Sequence, residues 1–191
     1  MKKTRNILSY LSFTVITLIA LMFAGCGDKP EPKSQVVGAP SSPVQLASAD
    51  LLGPRYEATL VEGIDFKKPG YPNFVAKVEG MSGYEPWGRW SQANLVTIKF
   101  KQPLPSKFVL VIVGGAYGPN IGKPIKVKAG TVMKEIVFTS DPFKQPNTHR
   151  IDFQLDAPVD TIEFSVPQPT QPPSGDLRKL GIGLTALKIE G

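Results

Sequence analysis

The sequence predicts an all-β domain, an antiparallel β-sandwich of jelly-roll type with about nine strands. Three observations carry this. Short apolar or alternating runs recur at roughly 10–20-residue spacing. The chain has 191 residues, of which 19 are Pro and 18 are Gly; that is about a fifth of the chain against a usual ~12 %, and these residues divide the runs. No segment shows a 3.6-residue apolar period.

In order, Tyr56–Val61 opens the domain as a β-rich run, and Phe74–Val78 is short and alternating. Ala93–Phe100 puts Val96, Ile98 and Phe100 on one face. Phe108–Val113 is apolar on both faces, as a central, fully covered strand requires. Ile125–Lys128 alternates, and Ile136–Phe138 forms another run. Ile151–Leu155 and Ile162–Val166 have period two, with one wet face each. Thr185–Ile189 closes the domain.

The stretch before these runs has a different character. Lys2, Lys3 and Arg5 precede an uncharged apolar run from Ile7 to Phe23, then Ala24-Gly25-Cys26. An apolar run of this length is at the short edge for a membrane span. The segment resembles a bacterial lipoprotein signal peptide, with Phe23-Ala24-Gly25-Cys26 as its lipobox. Residues 1–25 are then cleaved and Cys26 is acylated, palmitate included, since two or more chains hold a protein stably on a membrane. Gly27 stands where lipoproteins retained in the inner membrane usually carry Asp, which favours the periplasmic side of the outer membrane. Residues 26–52 read as the acylated Cys and a Pro/Ser-rich linker too poor in large apolar residues to fold. Residues 53–191 are the β-sandwich.

The formal net charge is +6. Residues 1–25 hold three of the 22 Lys and Arg and none of the 16 Asp and Glu, which leaves +3 on the remainder. That does not point to nucleic acid. One Cys excludes an intrachain disulfide, and one Cys with one His excludes a structural zinc site built from those residues. His149 is the sole His and begins a strand. Gly114-Gly115-Ala116-Tyr117-Gly118 follows a strand but precedes Pro119 rather than a helix, so it makes no nucleotide-binding turn. No cofactor is expected, and no Asp-rich run marks a calcium site. Scattered carboxylates such as Glu79 and Glu85 leave a hydrolase as a third class of function.

The densest segment runs from Glu79 to Ser91 and holds both Trp residues, Trp87 and Trp90, with Tyr84, Glu85 and Arg89. A sugar ring packs its CH face on an aromatic plane and pairs its hydroxyls with charged forks, and this loop supplies both. The alternative is that the Trp rings plug the end of the sandwich and Arg89 pairs with Glu85. Asn120, in Gly118–Pro124, bonds either a ligand or its own loop. Arg178, in Gly175–Leu184, reaches either a ligand or a carboxylate of the Glu85 loop.

Glu85-Pro-Trp-Gly-Arg-Trp-Ser91, Pro103-Leu-Pro105, Asn120-Ile-Gly and Arg178-Lys-Leu-Gly-Ile-Gly-Leu184 fall in one order. Over roughly residues 55–191 they resemble the C-terminal β-sandwich domain, of unknown function, of periplasmic-glucan phosphoglycerol transferases. The transferase's catalytic domain has no counterpart in the sequence. The resemblance therefore implies a non-catalytic accessory module, in which Glu85, Trp87, Arg89, Trp90, Asn120 and Arg178 are the shared loop residues. The expected function is a membrane-tethered, carbohydrate-binding-module-like domain that holds an envelope glycan. The alternative is an interaction module that docks an envelope glycosyltransferase or phosphoglycerol transferase.

Overall fold

The computed structural model describes residues 52–191. The signal-peptide reading, the acylated Cys26 and all of the linker but Leu52 lie outside the described residues. Leu52 is buried in the core.

Twelve strands follow in chain order: β1 (Arg55–Tyr56), β2 (Ile64–Asp65), β3 (Tyr71–Pro72), β4 (Val75–Glu79), β5 (Arg89–Trp90), β6 (Leu95–Phe100), β7 (Lys107–Ala116), β8 (Pro124–Ala129), β9 (Val132–Val137), β10 (Asn147–Gln154), β11 (Thr161–Ser165) and β12 (Ile182–Glu190). Sheet I has the order β10-β7-β12-β2, with β5 also pairing β12. Sheet II has the order β4-β6-β11-β8-β9. Every pairing within these two sheets is antiparallel. From β6 onward the chain crosses from one sheet to the other at each connection except the β8–β9 hairpin, the alternation of a jelly roll.

The core follows from period-two patterning on the two facing sheets. Phe108, Leu110 and Ile112 of β7, Ile151 and Phe153 of β10, and Leu184, Leu187 and Ile189 of β12 point in from sheet I. Val96, Ile98 and Phe100 of β6, Ile125 and Val127 of β8, and Ile162 and Phe164 of β11 meet them from sheet II. Each such side chain, once fully buried, contributes roughly 1.5–3 kcal/mol of transfer free energy. β7 pairs on both edges, as its two-sided apolar pattern requires.

Three elements depart from the expectation. Tyr56–Val61 is not a strand beyond Tyr56. Thr59 and Glu62 bond reciprocally, with the Thr59 N–H donating to Glu62 Oε2 at 2.7 Å and the Glu62 N–H to Thr59 Oγ1 at 3.2 Å. This Thr-x-x-Glu box closes a turn and competes with sheet pairing. The run at Ile136 starts earlier, at Val132, because Gly130 (φ 58°) turns a two-residue hairpin onto β8. Among the described residues the strands total twelve rather than about nine, since β2, β3 and β5 are two-residue pieces with no periodicity to read.

Candidate functional site

The segment from Met81 to Ser91 folds as a small hairpin. Glu85 and Gly88 exchange backbone bonds of 3.1 and 3.0 Å, with Pro86 and Trp87 at the tip. Its returning strand, β5, pairs with β12, setting Trp90 opposite Gly183 and Arg89 opposite Leu184. Ser91 fastens the junction: its N–H donates to the Ile182 carbonyl at 2.7 Å and its Oγ accepts from the Ile182 N–H at 2.8 Å. The Trp-Gly-Arg-Trp-Ser and Leu-Gly-Ile-Gly-Leu segments are thus strand partners.

Consecutive strand residues face opposite ways, and this separates Arg89 from Trp90. Trp90 lies on the outer face of sheet I, over Gly183, and is 2 % exposed. A Cβ on Gly183 would stand 2.9 Å from both Trp87 and Trp90 and 2.8 Å from Pro142, so only glycine admits this layer. Trp87 packs at 4.8 Å from Trp90 and 4.6 Å from Phe143, centroid to centroid. Tyr117 meets Trp90 edge-on at 5.9 Å. Phe143 is 59 % exposed and Trp87 is half-buried, so these two rings form the open rim of a cluster whose floor is Trp90.

Beside the rim runs a line of charge-assisted bonds. Trp87 Nε1 donates to Glu85 Oε2 at 2.9 Å, and Arg178 Nη1 donates to Glu85 Oε1 at 2.6 Å. Arg178 also gives Nη2 to Asp176 Oδ2 at 2.7 Å and Nε to the same carboxylate at 3.0 Å. These bonds hold the Arg178 pKa above its ordinary value, with Asp176 the larger cause, and hold that of Asp176 below its own. The relay fixes the Trp87 indole in one orientation. Tyr84, 44 % exposed, directly precedes Glu85 in the chain.

Three expected ligand residues are corrected. Trp90 is floor, not contact surface, because its register sets it flat on Gly183. Arg89 is 5 % exposed. It does not pair with Glu85, whose carboxylate is taken up by Trp87 and Arg178. Its guanidinium instead donates to the carbonyls of Gly70 at 3.1 Å, Lys68 at 3.3 Å and Ser82 at 3.5 Å, and lies 4.6 Å from the Tyr71 ring. Tyr71 itself has its pKa pushed up to about 12 by burial. Asn120 is fully buried: its Nδ2 donates to the carbonyls of Gln168 at 2.7 Å and Tyr117 at 3.1 Å, and its Oδ1 accepts from the Gln168 N–H at 2.9 Å. It clamps one loop to the Pro-rich bend. Trp87, Glu85 and Arg178 remain together at the surface, while the exposed Tyr84 ring lies 6.0 Å from the Arg89 guanidinium.

Two contributors were not singled out from the sequence, Phe143 and Asp176. Asp176 was legible in hindsight, two residues before Arg178. Phe143 sits in an Asp-Pro-Phe loop 56 positions from Trp87 in sequence, and only the fold joins them. Among the described residues no group of three or more His, Cys, Asp or Glu comes together to hold a metal, and no helix is long and apolar enough to cross a membrane.

The profile of the family described as "Domain of unknown function (DUF7024)" matches residues 52–191. Phosphoglycerol transferase I of Escherichia coli O139:H28 (strain E24377A / ETEC) and that of Shigella boydii serotype 18 (strain CDC 3083-94 / BS512) are each 36 % identical to this chain over 143 residues. The match covers 71 % of this chain and 18 % of each of those proteins, so it spans less than a fifth of their length. Among solved structures, a family 29 carbohydrate-binding module superposes with a TM-score of 0.42 at 15 % identity, covering 67 % of this chain and 85 % of its own. A CBM29-2 mutant gives 0.44 at 16 %, covering 68 % and 89 %.

Proposed function

The chain belongs to the DUF7024 domain family, and from that premise we propose that it is a non-catalytic, lipid-anchored module that binds a cell-envelope glycan. The observation that carries this is the open Trp87–Phe143 pair, at 4.6 Å with Phe143 59 % exposed, set beside the fixed Glu85–Arg178–Asp176 relay. The two rings, packed edge-on at 63°, supply apolar surface for sugar CH groups. The relay supplies carboxylate and guanidinium edges for hydroxyls, already ordered before a ligand arrives. The relatives' name, phosphoglycerol transferase I, supports a ligand that carries or receives phosphoglycerol groups. Cys26 carries the acyl chains that hold the module at the periplasmic face of the outer membrane.

The protein has two Trp residues, and both lie in this cluster. Trp fluorescence of the purified full chain, titrated with neutral and phosphoglycerol-bearing β-glucans, is expected to shift saturably. Trp87→Ala and Phe143→Ala should abolish the response with the circular dichroism unchanged. Absence of any shift at millimolar glucan would end the glycan reading.

One observation favours a second reading. Leu177 is 87 % exposed beside the relay, an aliphatic side chain with no use in gripping a sugar. It suits a protein partner, an envelope glycosyltransferase or phosphoglycerol transferase. Leu177→Asp separates the two readings: it should leave glucan binding intact and weaken only a protein complex.

A further inference from the structure

The outer face of sheet I continues beyond the aromatic cluster. Along β7 the outward residues are Gly115, under Pro142, then Val113, Val111 and Val109. Register sets Thr148, Arg150 and Asp152 of β10 beside these valines on one side, and Ala186, Lys188 and Glu190 of β12 on the other. The valines make a narrow apolar floor between two polar rows. Arg150 reaches over this floor to Glu190, at 2.6 Å. Past Val109 the face opens into a cleft of about 520 Å³, where Lys107, Asp152, Gln154 and Glu190 are joined by Lys134 from the edge of sheet II. From Gly115 to Val109 is six residues of strand, roughly 20 Å, so cleft and aromatic rim lie at opposite ends of one face.

Resting on the glycan reading above, we infer that this cleft is a second subsite, which takes an anionically substituted sugar unit of the same linear glucan chain that the Trp87–Phe143 rim grips. The length excludes a single sugar or a disaccharide as the ligand that fills both ends. The side chains determine the substituent. Two cations, Lys107 and Lys134, line the cleft with two carboxylates, Asp152 and Glu190, and Glu190 is already neutralised by Arg150 from the row above. A hydroxylated chain satisfies Gln154 and Asp152. A phosphodiester-bearing unit satisfies Lys107 and Lys134, two exposed lysines that form no ion pair among the described residues.

The test uses the full chain and three probes: a β-linked gluco-disaccharide, the neutral hexasaccharide, and the hexasaccharide carrying phosphodiester-linked glycerol. The substituted hexasaccharide is expected to bind about tenfold more tightly than the disaccharide, with the advantage shrinking as salt is raised. Lys107→Gln combined with Lys134→Gln should remove that advantage and leave disaccharide affinity unchanged. Both residues are exposed, so the fold is not at stake, and thermal melting checks it. Equal affinity for all three probes, or a double variant that behaves as the parent, overturns the second subsite and spares the rim. If no probe moves the Trp fluorescence at all, the rim reading fails and the subsite fails with it.

Discussion

The two sheets present the same kind of face to the core, but sheet I adds an aromatic and valine strip to the charged rows on its outer face. Outward from sheet II stand Lys77, Glu79, Lys99, Lys126, Lys128 and Glu163, with ion pairs at Lys77–Glu79 (2.8 Å) and Lys128–Glu163 (3.0 Å). That is a solvated surface, whose pairs contribute little because water and salt screen them. Outward from sheet I stand Trp90, Trp87, Pro142 and Phe143, and then the valines of β7. Apolar surface placed outside a finished core is the informative kind. The contrast supports the proposed site on one side of the sandwich, and substitutions on each side can break or sharpen it.

The largest effect is expected at Trp90. Trp90→Ala removes the floor of the aromatic layer and should cost about 3–5 kcal/mol in chemical denaturation, the usual range for a buried aromatic. A cost near zero would show that the layer is decoration. Next comes Arg89→Met, which keeps the stem's volume but leaves the Gly70, Lys68 and Ser82 carbonyls without their donor. A loss of about 2–3 kcal/mol is expected, with glucan binding preserved in whatever protein remains folded; loss of binding at full stability would return Arg89 to the ligand site.

Arg178→Gln tests the rim itself. It frees Glu85 and the Trp87 indole, so affinity for glucan should fall several-fold, by about 1 kcal/mol, while the melting temperature hardly moves. An unchanged affinity would mean that the relay does not position Trp87.

A smaller effect is expected at His149, inward on β10 against Phe138 at 5.1 Å, with Nε2 buried and unbonded. Burial holds its pKa below the ordinary 6.5. The unfolded chain therefore takes the proton first as pH falls through that ordinary value, so acid favours unfolding and stability is lost below it. The denaturant midpoint should fall between about pH 7.5 and 5.5, and His149→Met should flatten that slope. The smallest effect belongs to sheet II: Lys128→Ala should change stability by under about 0.5 kcal/mol and glucan affinity not at all.

Most strands were legible because a strand with one dry face writes its period into the sequence. Val96-x-Ile98-x-Phe100 and Ile162-x-Phe164 are such records. β5 was not legible as a strand, since two residues hold no period, yet it places the whole site. The same limit divided the Trp-Gly-Arg-Trp motif. Its composition marked the candidate loop, but local sequence is the same whether a ring faces a ligand or a glycine on the next strand.

The sequence by itself determined the β-sandwich class and the kinship of the domain, because patterning and motif order are properties of the chain alone. The tertiary structure decided which motif residues remain available. Pairing β5 against Gly183 and Leu184 sends Trp90 under the layer and Arg89 toward the Gly70 turn. Bringing residues 143 and 176–178 beside residue 85 builds a rim from three distant loops. Those outcomes depend on register, and register is set by contacts between segments that no single stretch of sequence contains.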